Sequence, residues 1–219
     1  MTSSPGYAFP SPPVSPRISN TSQHRGLVAS YERDLRSLCG YKGAQPYWDW
    51  TLDTKTADSI TKSPIWDAET GFGGNGPYEE NPDKNPKVPT PTRTGGGCVT
   101  DGPFKDMVIH IGPGQNLERN EQCLRRDWVP DLMTRGLSTA SVNDAIKEKT
   151  FGAFDKIAQG GVTLEEMTYH GGGHVGVGGE LGTMQDVYSS PGDPLFYLHH
   201  ANMDRFVLLI NLPLPTADD

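Results

Sequence analysis

Between residues 51 and 137 glycine and proline interrupt the chain so often that no helix or strand of ordinary length can be placed there. The runs Gly73-Gly74-Asn75-Gly76-Pro77 and Gly95-Gly96-Gly97 are the extreme cases. Each glycine loosens the backbone, and each proline removes a hydrogen-bond donor. This constraint confines long elements to the two flanks and predicts long irregular loops between them. With 26 glycines and 19 prolines in 219 residues, the whole chain should consist of few helices joined by extended connections. Loops of this length inside a compact domain are more common where they shape a site.

The flanks carry helical patterns. His24, Val28, Tyr31 and Leu35 fall on one face, which predicts a helix from His24 to about Leu38 with Gly40 as its stop. The segment Pro46-Tyr47-Trp48-Asp49-Trp50 is too aromatic to be solvated and should pack on the core. Ser141 and Asp144 read as a capping-box start for one helix running to about Ala158. A short helix should carry Glu165 to His174 and end at the glycines of 176–179. A last helix should run from Pro194, acceptable in a first turn, to Ile210. Residues 1–23 are rich in serine and proline without a hydrophobic period and read as disordered, and 213–219 as a tail. The domain is then 24–212.

Bulk properties exclude some partners. A net charge of −8 argues against nucleic acid or an anionic membrane surface. No apolar run approaches the roughly 20 residues that span a bilayer, and the first residues lack the basic and apolar stretches of a signal peptide. The compartment and the oligomeric state are left open by the sequence. Of the three cysteines, Cys98 and Cys123 offer one bridge across the loop region, or two buried thiols, with Cys39 left over.

Histidine placement carries the chemistry. Of six histidines, His170, His174, His199 and His200 cluster late in the chain. On a helix, His170 and His174 leave one face a turn apart, as two ligands of one metal ion would. Taken alone, that spacing also describes two surface histidines. A zinc-protease reading fails because Gly171-Gly172-Gly173 supplies no glutamate base between them. His200 and Asp204 lie one turn apart on the last helix, and such a carboxylate can orient a ligand imidazole or hold its backbone. Three neutral imidazoles favour copper over zinc, although geometry decides. His110 has no partner pattern.

From Asp193 to Asp204 the sequence Asp-Pro-Leu-Phe-Tyr-Leu-His-His-Ala-Asn-Met-Asp resembles the copper-B signature of tyrosinases, catechol oxidases and haemocyanins. His170 and His174 match its other two ligands, and Gly178-Gly179 the turn after them. His24-Arg25, with Val28 and Glu32, looks like the end of the copper-A signature, and Pro46–Trp50 is similar to the segment that follows it. The likeness covers about residues 24–212. It implies a mainly α fold, part of a four-helix bundle wrapped by loops, with metal ligands His24, His170, His174 and His200. His199 is then the neighbour of the ligand rather than the ligand itself. Further implications are oxidation of an o-diphenol by dioxygen at two coppers, and Met184 as a gate over the substrate.

The departures set further expectations. Ser15, Asn20 and Gln23 stand where the resemblance calls for a ligand and two aromatic residues, and no histidine precedes His24. One copper site, copper B, is therefore complete in the chain, and the beginning reads as replaced or missing. Gly171 stands where monophenol-hydroxylating relatives often carry Asn, which predicts diphenol oxidation over monophenol hydroxylation. Glu165 and Glu166 are candidates for holding a proton-accepting water, or are two solvated acids at a helix start. The alternatives to an enzyme are a copper-binding remnant without turnover and a dioxygen carrier.

Overall fold

The structure is a computed structural model that describes residues 20–116 and 118–211. The chain is mainly α, as expected, with seven helices of four residues or more among the described residues. They are α1 (Asn20–Cys39), α2 (Ala57–Thr61), α3 (Pro130–Gly136), α4 (Thr139–Ile146), α5 (Phe151–Gln159), α6 (Tyr169–Gly178) and α7 (Leu195–Asn211). Two two-residue strands, β1 (Val108–Ile109) and β2 (Gln122–Cys123), pair antiparallel within the long loop region.

Helix α1 starts at Asn20, four positions ahead of the expected start, so residues 20–23 are helical. Residues 1–19 and 212–219 lie outside the described residues, and with them most of the expected disordered segment and the tail. The predicted face of α1 packs on α7: Val28 is buried, and the Tyr31 ring stacks on Tyr197 at 3.8 Å. Gly40 ends the helix at φ +68°, in the left-handed region that favours glycine. The aromatic segment behaves as expected. Trp48 and Trp50 are buried, and the Trp48 backbone N–H donates to the Leu198 carbonyl of α7 at 3.1 Å. Tyr47 stays exposed under the Arg205 guanidinium.

Two helix boundaries differ from the sequence reading. The single helix expected to Ala158 is two. Ser138 caps α4 by accepting from the Ser141 N–H, and Thr150 caps α5 by accepting from the Ala153 N–H. A hydroxyl at 150 that captures an N–H three residues on starts a new helix rather than continuing the old one. The second difference concerns α6, which begins at Tyr169 rather than Glu165 and runs through Gly176–Gly178. These glycines lie inside the helix because α3 presses against it. A Cβ on Gly172 would lie 3.2 Å from the backbone of Gly136, and one on Gly176 would lie 2.6 Å from Met133 Cγ. The helix ends at Gly179 instead, with φ +51°.

The loop region is held by buried polar groups. Arg126 is fully buried and donates to both carboxylate oxygens of Asp193, at 2.9 and 3.0 Å, just ahead of α7. Its Nη1 also donates to the carbonyls of Phe72 and Gly73. Asp127 accepts from Gly95, Arg93 and the Glu180 N–H that follows α6. A Cys98–Cys123 disulfide ties the stretch that follows Gly95–Gly97 to β2, and Cys39 is free and exposed. The main core gathers Trp48, Trp50, Trp66, Trp128, Tyr169, Phe196 and Phe206 beneath α6 and α7.

Candidate metal centre

Three helices bring four imidazoles together. On α6, His170 and His174 stand one turn apart with ring centroids 4.8 Å from each other. His200 projects from α7 and His24 from α1. His24 Nδ1 lies 2.9 Å from His200 Nδ1, and His200 Nε2 lies 2.9 Å from His174 Nε2. His174 Nδ1 lies 2.7 Å from the Met184 carbonyl oxygen. A carbonyl only accepts, so His174 carries its proton on Nδ1 and keeps the Nε2 lone pair free. One set of tautomers then completes the chain: His24 donates to His200, His200 to His174, and His174 to Met184.

His170 Nε2 is buried with no hydrogen-bond partner among the described residues. An orphaned buried nitrogen beside other ring nitrogens is what a metal ligand looks like without its ion. The ring nitrogens gather in two overlapping triads, each within 4.8 Å: His24, His170 and His200, and His174, His199 and His200. Burial holds His24, His170, His199 and His200 below the ordinary histidine range, and pushes His174 down to about 4. All are therefore neutral near pH 7, as ligation requires. The donor set fits a borderline or soft divalent ion.

The packing around the rings is specific. His199 is fully buried, 4.9 Å from the Trp50 ring. It fits because residue 173 is glycine: a Cβ there would meet His199 Cε1 at 2.1 Å. The Phe196 ring backs His200 at 4.2 Å and His24 at 5.2 Å. In front of His24, His170 and His174 opens a cavity of about 550 Å³ with mostly apolar walls, including Val88, Met167, Val187 and Phe196.

The family description "Common central domain of tyrosinase" matches residues 21–209. The chain belongs to the tyrosinase family. Among curated relatives it is 34% identical to "Oxidase hkm6" of Aspergillus hancockii over 207 residues, covering 83% of this chain and 68% of that one. It is 33% identical to "Tyrosinase P" of Aspergillus terreus, covering 83% of this chain and 55% of that one. A solved polyphenol oxidase of Thermothelomyces thermophila (mutant G292N) superposes with a TM-score of 0.72 at 32% identity, over 87% of this chain and 53% of that one. Several curated relatives are matched over about half their length, as with the 54% of "Tyrosinase-like protein orsC" of Emericella nidulans. Tyrosinase-family proteins use copper and act on phenols with dioxygen.

The structure places four further groups that the sequence singled out. The Asp204 side chain holds the backbone that carries His200 rather than an imidazole. It accepts from Arg25 Nε at 2.5 Å, and so ties α7 to α1 beside His24. Met184, expected over the substrate, has a side chain that is fully buried in the core and does not line the cavity. Its backbone carbonyl matters instead, through His174. Glu165 and Glu166 are exposed and precede α6. Glu166 accepts from Thr163, and neither lines the cavity. His110 is half-exposed, 3.7 Å from the Glu121 carboxylate. The sequence reading missed Arg126, whose side chain fixes the start of α7. A lone arginine inside a loop carries no periodic signal, and its partner lies 67 positions away.

Proposed function

We propose that His170, His174 and His200 hold a copper ion, that His24 belongs to a second copper position, and that the protein oxidises o-diphenols to o-quinones with dioxygen. The observation that carries this reading is the convergence of neutral imidazoles, one with an orphaned Nε2, at the floor of an apolar cavity. Copper supplies the electron transfer to dioxygen when bound. The protein holds each ring in one orientation. Met184 fixes His174 through Nδ1, and Phe196 backs His200 in a tilted contact and His24 edge-on. The apolar side of the cavity gives the ring of the phenol a surface to pack on. Diphenol oxidation is favoured over monophenol hydroxylation because position 171 offers no side chain to hold a proton-accepting water.

A second reading, copper binding without turnover, is favoured by one feature: the two triads share His200, so the described imidazoles do not make two separate three-histidine sites. Copper titration of metal-depleted protein, followed by atomic absorption, tests the shared part. His174→Ala and His200→Ala should each lose most of the metal and His199→Ala much less. The reverse order would overturn the ligand choice. Turnover of 4-methylcatechol well above that of tyramine supports the enzyme, and copper held without turnover of either supports the second reading.

A further inference from the structure

Position 171 is glycine, yet the space beside it is filled. A Cβ built on Gly171 would lie 2.8 Å from Met167 Cγ, 3.0 Å from its Cβ and 3.2 Å from its Sδ. Met167 is nearly buried, lines the cavity next to His170 and Gly171, and packs with Val129, Leu132 and Val175. Because α6 starts only at Tyr169, Met167 sits in the turn ahead of the helix, where its side chain folds over the first ligand-bearing turn.

We propose that Met167 is a specificity-determining residue: its thioether occupies the space beside His170 that any side chain at position 171 would need, and so presents an apolar wall to the ring of a bound o-diphenol. The proposal rests on the functional reading above. It states that positions 167 and 171 form one unit, so that a polar side chain at 171 is admitted only when the methionine is shortened. Methionine is flexible and polarizable, and adapts well to an aromatic face. Val88, Val175 and Val187 continue this apolar wall, while Gln185 and Asp186 line the cavity elsewhere.

The test is a double-mutant cycle on the full chain loaded with copper: native protein, Met167→Ala, Gly171→Asn and the double variant. Two readouts apply, the thermal midpoint and the dissociation constant of 4-nitrocatechol, titrated without oxygen and followed by its absorbance. Gly171→Asn should weaken binding about tenfold beside Met167, but less than about threefold in the Met167→Ala background, a coupling in the usual range for touching residues. The midpoint should follow the same pattern. Gly171→Ala, whose Cβ alone meets Met167, repeats the comparison if the asparagine variant does not fold. Independent effects on both readouts, with copper retained, would overturn the role of Met167 and leave the functional reading standing. Failure of all four proteins to hold copper would overturn that reading and this inference together.

Discussion

Replacing Arg126 with alanine should destabilise the protein more than any surface change. Both partners of the Arg126–Asp193 pair have side chains with no solvent exposure. Alanine at 126 strands a carboxylate that now receives two charge-assisted bonds, and it strips donors from the carbonyls of Phe72 and Gly73. Breaking a buried pair in this way costs about 3–5 kcal/mol. For a chain of this size that is a fall of roughly 6–20 °C in the thermal midpoint. Asp193→Leu should cost a similar amount, because Asp193 Oδ1 also accepts from the Leu195 N–H at the start of α7. The double change Arg126→Ala with Asp193→Leu removes both charges at once, so its loss should fall well short of the sum of the singles. Urea unfolding of the four proteins measures all three terms. Since α7 presents His200, copper retention should fall in the same order as stability. Single changes below about 1 kcal/mol, or strictly additive effects, would refute the buried-pair account.

Two further outcomes follow from the same structure. Reducing the Cys98–Cys123 bond, which closes a separation of 25 residues, should lower stability by about 3.5 kcal/mol, and unfolding curves with and without a phosphine reductant would show it. For the metal-free protein, the pH dependence follows from histidines whose burial disfavours the charged form. The unfolded chain takes up a proton near the ordinary value of 6.5, while folded His174 does so only at about 4. This stabilisation is complete above pH 6.5 and is lost as pH falls through 6.5 towards 4, on the order of 3 kcal/mol from His174 alone. Urea midpoints measured in chelator that stay flat from pH 7.5 to 4.5 would contradict it.

The parts of the site legible in sequence were those that use local spacing. His170 and His174 are four apart and share a helix face, and the stretch from Asp193 to Asp204 keeps its helical period through His200. The parts that were not legible depend on contacts between distant residues. Asp204 finds Arg25 across 179 positions, and nothing in the α7 pattern distinguishes that partner from an imidazole. Met184 acts through a backbone carbonyl, which no side chain advertises. The break between α4 and α5 falls at Lys147–Thr150, without glycine or proline, and only the cap on Thr150 reveals it. The α6 glycines looked like a stop because propensity alone disfavours them, whereas the close approach of α3 makes their missing side chains the condition for packing.

That glycine-rich helix has a consequence for how the protein acquires its metal. Half of the residues in Tyr169–Gly178 are glycine, each costing about 1 kcal/mol of helix propensity relative to alanine. The segment therefore has no helical tendency of its own and takes shape only when seated on α3. In the unfolded chain His170 and His174 are not held one turn apart, so the denatured ensemble presents no ready two-histidine chelate. An ion that finds its full set of imidazoles only in the native state contributes its whole binding energy to the folded side of the equilibrium. Copper supply would then govern how much of this chain persists in a cell, through mass action and independently of any phenol it oxidises.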